Sequence, residues 1–97
     1  MEGGKLTGVT YIENGKGQFV PCDGVFLAVG LIPNNEPFAN LVSLNNQGYF
    51  AADETGITMT EGVFVAGDCR TKGLRQVATA CSDGANAAIN ASNYLSK

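Results

Sequence analysis

The strongest hydrophobic pattern lies near the C-terminal end, where a short apolar run precedes a long stretch of helical periodicity. Residues 62–66 read Gly-Val-Phe-Val-Ala, which predicts a short strand buried on both faces. Gly67 ends this strand, and Asp68 follows where open α/β sheets place ligand-binding groups. From about Gln76 the helical period predicts one long helix. Its stripe of small and apolar residues is Val77, Cys81, Gly84, Ala85, Ala88, Ser92 and Leu95.

The N-terminal part alternates strand-forming and polar residues in two runs, residues 5–13 and 18–20. The turn residues Gly15-Lys16-Gly17 separate them, and Glu13 to Lys16 form a polar tip. This pattern predicts a β-hairpin. Pro21 closes the second strand or marks it as an edge strand, because proline cannot donate to a ladder.

A second buried strand is predicted at residues 25–29, between Gly24 and Gly30. Its surroundings, Asp23 to Gly30, resemble Glu61 to Gly67: each has an acid, a glycine, an apolar run and a closing glycine. This similarity is either chance or a sign of two parallel strands that end in related crossover connections.

The middle of the chain carries weaker signals. Residues 31–35 form a proline-containing connector, and residues 36–42 predict one or two helical turns. Short strands are predicted at residues 49–53 and 57–60, on either side of the turn at residues 54–56.

The composition argues against several classes of function. The net charge of −3 argues against a nucleic-acid-binding face, and no apolar run or leader indicates a membrane span or signal peptide. Three cysteines without a C-x-x-C, and no histidine, argue against a disulfide scaffold and a zinc site and favour a reducing, cytosolic setting. No paired carboxylates, nucleophile–base pair or phosphate-binding glycine loop is evident.

The order of several short motifs resembles low-molecular-weight thioredoxin reductases. The segments that match are Asp23 to Asn34 (DGVFLAVGLIPN), Gly48-Tyr49, Asp53, Thr60, Gly62 to Asp68, Arg75-Gln76-Val77, Ala80, Gly84-Ala85 and Ala87-Ala88. The Gly-Asp pair alone is a weak signal, whereas the ordered set is specific for flavoproteins with two dinucleotide-binding domains. The match extends from about Lys5 to Leu95.

The resemblance implies an α/β fold, a partial FAD/NAD(P)-binding Rossmann-like domain with an N-terminal hairpin or β-meander and one long C-terminal helix. Residues 1–30 would be a remnant of the NAD(P)-binding domain, residues 31–43 an interdomain connector, and residues 44–97 the C-terminal part of the FAD-binding domain. Both glycine fingerprints and the redox-active C-x-x-C of that family have no counterpart here. The chain therefore resembles a C-terminal fragment that is inactive alone.

The resemblance also implies which residues contact the cofactor: Gly67, Asp68, Arg75, Gln76 and Val77. Asp68 would accept a hydrogen bond from the ribityl chain of FAD, and the helix start would face the pyrimidine edge of the flavin, where donors stabilise negative charge. The structural alternatives are an aspartate that caps a turn and an ordinary first helical turn. Small residues such as Gly84, Ala85 and Ala88 are expected to allow close helix–sheet packing.

In the complete protein, electrons would pass from NADPH to FAD and on to a disulfide, with a thioredoxin-like protein as partner. Other partners would be the missing N-terminal portion or a second copy of the chain, in a homo-oligomer, with neither nucleic acid nor membrane. Two alternatives stay open. One is a relative with another acceptor, an alkyl hydroperoxide reductase flavoprotein subunit or a ferredoxin–NADP reductase. The other is a cofactor-free structural fragment that associates with itself.

Overall fold

The computed structural model describes all 97 residues, in two compact units, Met1–Gly30 and Leu31–Lys97. The regular elements are strands β1 (Gly8–Glu13) and β2 (Lys16–Pro21), a 3₁₀ helix (Glu36–Phe38) and helix α1 (Val77–Leu95). No helix combines the length and the apolar character that crossing a bilayer requires.

The first unit contains the predicted hairpin. Strands β1 and β2 pair in antiparallel register, with Val9 opposite Val20 and Glu13 opposite Lys16. The connection is a two-residue turn in which Asn14 and Gly15 have φ values of 50° and 76°. Asparagine followed by glycine tolerates this left-handed conformation best. The predicted hairpin is therefore confirmed, but its turn is shorter than expected because Lys16 already belongs to β2.

The predicted buried strand at residues 25–29 is wrong for this chain. These residues form no strand, and Phe26, Leu27 and Val29 are 100%, 84% and 91% exposed. A strand buried on both faces needs hydrogen-bonded neighbours and covering side chains. The only ladder in the chain joins β1 to β2, so residues 25–29 have neither.

The second unit has a small hydrophobic core of Val42, Phe50, Ala52 and Val65. Around it, the strands predicted at residues 49–53, 57–60 and 62–66 are reduced to isolated bridges. Phe50 bridges to Leu44 and to Arg70, and Ile57 bridges to Phe64. Each segment meets a partner at a single position, so the pairing does not propagate into a ladder. The prediction of three short strands is therefore wrong, although Val65 is buried as expected.

The segment that precedes the core carries the 3₁₀ helix, which agrees with the helical turn predicted there. Buried Asn35, just before it, donates two hydrogen bonds from Nδ2, to the carbonyls of Gly48 (3.0 Å) and Cys69 (2.8 Å). Val42 is the most deeply buried apolar residue of the unit. Asn35 and Val42 thus attach this segment to the core of the second unit.

Helix α1 begins at Val77, with Gln76 as its N-cap, close to the predicted start. Its covered face is not the predicted stripe. Val77 and Leu95 are 82% and 80% exposed, whereas Asp83 is buried. Cys81, Gly84, Ala85, Ala88 and Ser92 are exposed as well.

The opposite face of α1 is covered instead because it lies against turns and loops of the second unit. Asn90 donates from Nδ2 to the Thr55 carbonyl (2.8 Å), and Tyr94 packs edge-on against Phe64 with ring centroids 6.2 Å apart. A side chain at Gly84 would meet no atom within 4 Å. The expected close packing at Gly84, Ala85 and Ala88 is therefore absent from this chain.

Candidate functional site

The turn after residues 62–66 brings Gly67 and Asp68 to the surface. Gly67 has φ +88°, a conformation that favours glycine, and its N–H donates to Asp83 Oδ2 at 3.0 Å. Asp68 is exposed, and only its backbone carbonyl takes part in a hydrogen bond. Its carboxylate is therefore free to accept a hydrogen bond from a ligand.

Arg75 connects this turn to the start of α1. Its Nε donates to the Asp68 carbonyl at 3.0 Å, and one terminal nitrogen donates to the Arg70 carbonyl at 3.1 Å. The guanidinium lies over the ring of Tyr49, 3.7 Å from the ring centroid, a cation–π contact. Arg75 is thus engaged within the chain, and it holds Asp68 beside the helix start.

The first turn of α1 has both used and unused donors. The Gln76 N–H donates to Thr79 Oγ1 at 3.1 Å, so the cap occupies it. The N–H groups of Val77 and Ala78 have no acceptor in the chain, as expected for the first turn of a helix. The free donors at this end are therefore those of Val77 and Ala78, where the helix dipole adds positive character.

A buried charge cluster that the sequence pattern does not predict lies under the turn. Asp83 accepts from Arg70 Nε and a terminal nitrogen of Arg70, each at 2.8 Å, and from Lys72 Nζ at 2.9 Å. All three side chains are less than 10% exposed. One signal was available, since Asp83 is the only charged residue of α1. An aspartate among small apolar residues needs a partner if it is buried.

These contacts shift the pKa of Asp83 and the pKa of Arg70. Hydrogen bonds from Arg70 and then from Lys72 hold the pKa of Asp83 well below its usual range, against the opposing effect of burial. The same Asp83 contact raises the pKa of Arg70. Both shifts favour the charged forms of Asp83 and Arg70 at neutral pH.

A shallow cavity of about 220 Å³ lies beside the turn, with Asp68, Tyr49, Arg75 and Ile32 in its lining. Small-molecule sites usually enclose about 300–1,000 Å³, so this cavity holds only part of a dinucleotide. A larger cavity, of about 580 Å³, lies beside Tyr94 at the other end of α1 and contains none of the predicted site residues. Of the five predicted site residues, only Asp68 and Arg75 line the smaller cavity.

Comparison with known proteins identifies the family. The sequence profile described as Pyridine nucleotide-disulphide oxidoreductase matches residues 2–84, most of the chain. The chain belongs to this family. Thioredoxin reductases from Listeria monocytogenes and Bacillus subtilis are 42% and 40% identical to it over 96 residues. Each alignment covers 97% of this chain but 30% of the relative, so the chain spans about a third of its relatives' length.

Solved structures agree with this membership. Thioredoxin reductase from T. acidophilum superposes with a TM-score of 0.78 at 34% identity, over 94% of this chain and 31% of that one. The enzyme from Streptococcus pyogenes gives 0.74 at 32% identity, over 95% and 31%. The resemblance to thioredoxin reductases and the fold class, a partial Rossmann-like FAD/NAD(P)-binding domain, are confirmed. The assignment of residues 1–30, 31–43 and 44–97 to domains stays a prediction.

Proposed function

We propose that this chain is the C-terminal, FAD-binding portion of a thioredoxin-reductase-like flavoprotein and is inactive alone. The observation that carries the proposal is the free carboxylate of Asp68 beside the unused N–H donors of α1, a pairing that Arg75 maintains. Asp68, Val77 and Ala78 are all exposed, and an acceptor together with donors suits a ligand with both hydroxyl and carbonyl groups. Membership of the family supports FAD as that ligand.

The residues present fit the flavin and ribityl parts of FAD. Asp68 would accept a hydrogen bond from a ribityl hydroxyl, and the N–H groups of Val77 and Ala78 would donate to the pyrimidine edge. Arg75 would orient Asp68 rather than contact the cofactor. When bound, FAD would supply hydride acceptance from NADPH and electron transfer to a disulfide in the complete protein. The chain's own part is to bind and orient, and to provide positive electrostatic potential at the helix start.

The electron acceptor of the complete protein follows from the relatives only as a proposal. The thioredoxin reductases favour a thioredoxin-like disulfide protein. A Bacillus subtilis protein named NADH dehydrogenase is also 37% identical over 92 residues, covering 93% of this chain and 18% of that protein. An acceptor other than thioredoxin therefore stays the alternative. All three cysteines are free thiols, which suits a reducing, cytosolic setting.

The first test is an FAD titration of the purified chain, followed by flavin fluorescence and by the visible absorbance of bound flavin. We expect Asp68→Asn to raise the FAD dissociation constant about 10- to 100-fold, since a hydrogen bond to a charged group contributes roughly 1.5–3 kcal/mol. Asp23→Asn, at an exposed acid in the first unit, is the matched charge control and should leave binding unchanged. Equal affinity for the wild type and Asp68→Asn would remove Asp68 from the site.

The second candidate function is a cofactor-free structural piece that associates with itself. One observation favours it, a run of exposed apolar side chains at the end of the first unit, whose members are Val25, Phe26, Leu27 and Val29. Exposed apolar runs of this kind mark association surfaces. We expect sedimentation equilibrium at micromolar concentration to give a mass above the 10.1 kDa of one chain. Phe26→Asp should return the mass to that of a monomer, and a monomeric wild type would contradict this candidate.

A further inference from the structure

The Asp83 carboxylate directs all its hydrogen bonds to the loop that carries Asp68. Oδ2 accepts from the Gly67 N–H, from Arg70 Nε and from Lys72 Nζ, while Oδ1 accepts from the other arm of the Arg70 fork. No other side chain of α1 forms a hydrogen bond with residues 67–72. Asp83 is therefore the polar contact between the body of α1 and this loop.

We propose that Asp83 is a positioning residue of the flavin site, which fixes Gly67 and Asp68 at a set height and angle relative to the N-terminus of α1. This inference rests on the proposed function, because it assigns Asp83 a task in FAD binding. Asp83 does not reach the ligand surface, since it is 4% exposed. It acts through Gly67, the residue directly before Asp68.

The geometry favours positioning over simple stabilisation. A buried ion pair is commonly no more stabilising than apolar residues of similar volume, so its presence alone does not explain its use here. The two-pronged Arg70 contact fixes direction as well as distance, because a guanidinium fork meets a carboxylate in one plane. The additional bond to the Gly67 N–H transmits that orientation to the backbone beside Asp68.

Arg70 and Arg75 extend the same arrangement. The Arg70 carbonyl accepts a hydrogen bond from the Arg75 guanidinium, and Arg70 also donates to the Thr71 carbonyl at 2.7 Å. Asp83 therefore holds the loop from inside α1, while Arg75 holds it from the residues just before α1. With both ends attached, the distance between Asp68 and the free N–H groups of Val77 and Ala78 is restricted.

The experiment compares Asp83→Asn with Tyr94→Ala in the full chain. Tyr94 lies on the same covered face of α1 near its C-terminal end, where it packs on Phe64, so its loss weakens the fold away from the loop. Without FAD, amide hydrogen exchange by NMR should show the Gly67 N–H exchanging about tenfold faster in Asp83→Asn only. With FAD, the dissociation constant should rise about tenfold in Asp83→Asn and stay within twofold of the wild type in Tyr94→Ala.

Lys72→Gln provides a second variant if Asp83→Asn does not fold. It removes one cation and leaves the Arg70 fork, so we expect a smaller rise in the FAD dissociation constant, about threefold. If Asp83→Asn and Lys72→Gln have the same effects as Tyr94→Ala, Asp83 only stabilises the fold and the inference is overturned.

The Asp68→Asn variant distinguishes a failure of the positioning role of Asp83 from a failure of the proposed function. If Asp68→Asn weakens FAD binding while Asp83→Asn and Lys72→Gln behave like Tyr94→Ala, only the positioning role is wrong. If Asp68→Asn changes nothing, or the wild-type chain binds no FAD, the proposed function fails and the positioning role in FAD binding fails with it.

Discussion

Two segments of nearly the same sequence have opposite environments in this protein. Asp23 to Gly30 and Glu61 to Gly67 share an acid, a glycine, an apolar run and a closing glycine. Phe26 of the first is fully exposed, whereas its counterpart Phe64 is partly buried against Tyr94.

The backbones of the two segments differ in the same way. The N–H groups of Val63 and Val65 donate to the carbonyls of Thr60 and Gly56, at 3.1 and 2.9 Å. Residues 23–30 form no backbone hydrogen bond. An apolar run therefore indicates that its side chains require burial, but it does not indicate which residues bury them. The run at residues 62–66 is covered because the turn at Gly56 and helix α1 lie beside it.

The largest effect is expected from disrupting the buried cluster of Asp83, Arg70 and Lys72, which lies under the turn after residues 62–66. Asp83→Ala leaves Arg70 and Lys72 buried without their carboxylate, and we expect a loss of about 3–5 kcal/mol in the free energy of unfolding, or loss of the fold. Asp23→Ala, at the acid of the exposed segment, should change it by no more than about 0.5 kcal/mol. Urea unfolding followed by circular dichroism measures both. A loss of less than about 1 kcal/mol for Asp83→Ala would show that the cluster contributes little.

A smaller effect separates the two equivalent phenylalanines. Phe64→Ala removes a partly buried ring and its contact with Tyr94, so we expect a loss of roughly 2 kcal/mol, about half that of a fully buried phenylalanine. Phe26→Ala removes a ring that contacts solvent and should change the free energy of unfolding by less than about 0.5 kcal/mol. The same urea series measures this pair. Equal losses would mean that Phe26 is covered in solution, as self-association requires.

The contrast also explains how much could be predicted from the sequence. The hairpin and the extent of α1 depend on local backbone preference and periodicity, so both were predicted. The turn itself lies at Asn14-Gly15 rather than at the predicted Gly15-Lys16-Gly17. The strands at residues 25–29 and 62–66 depend on neighbours that a local pattern does not identify. The covered face of α1 was misassigned for the same reason, since polar contacts to Asp83 and Asn90 decide it.

The sequence also predicted only part of the candidate site. Gly67, Asp68, Arg75, Gln76 and Val77 were singled out by a motif, and the Arg75 contact does bring the turn and the helix start together. The sequence could not show that Arg75 and the Gln76 N–H are occupied within the chain. Nor could it pair an aspartate with cations 11 and 13 residues earlier, because that contact exists only once α1 lies against the loop.

The smallest expected effect is on the pH dependence of the free energy of unfolding, to which Asp83 contributes. The Arg70 and Lys72 contacts lower the pKa of folded Asp83, while an unfolded aspartate titrates near about 3.9. Between these values the unfolded chain binds more protons, so the stabilisation is fully present above about pH 4–5 and is lost as the pH falls towards the folded pKa. One such carboxylate contributes a slope of at most about 1.4 kcal/mol per pH unit.

Asp83→Asn should flatten this slope below about pH 4, when the free energy of unfolding is measured by urea titration across an acid series. Asp53→Asn is the control, since the pKa of Asp53 is also lowered, chiefly by the Thr55 hydroxyl, but its carboxylate is exposed. Solvent weakens that contact, so its removal should change the slope less. An unchanged slope in Asp83→Asn would mean that the pKa of Asp83 is the same in the folded and the unfolded chain, and that its ion pairs do not stabilise the fold.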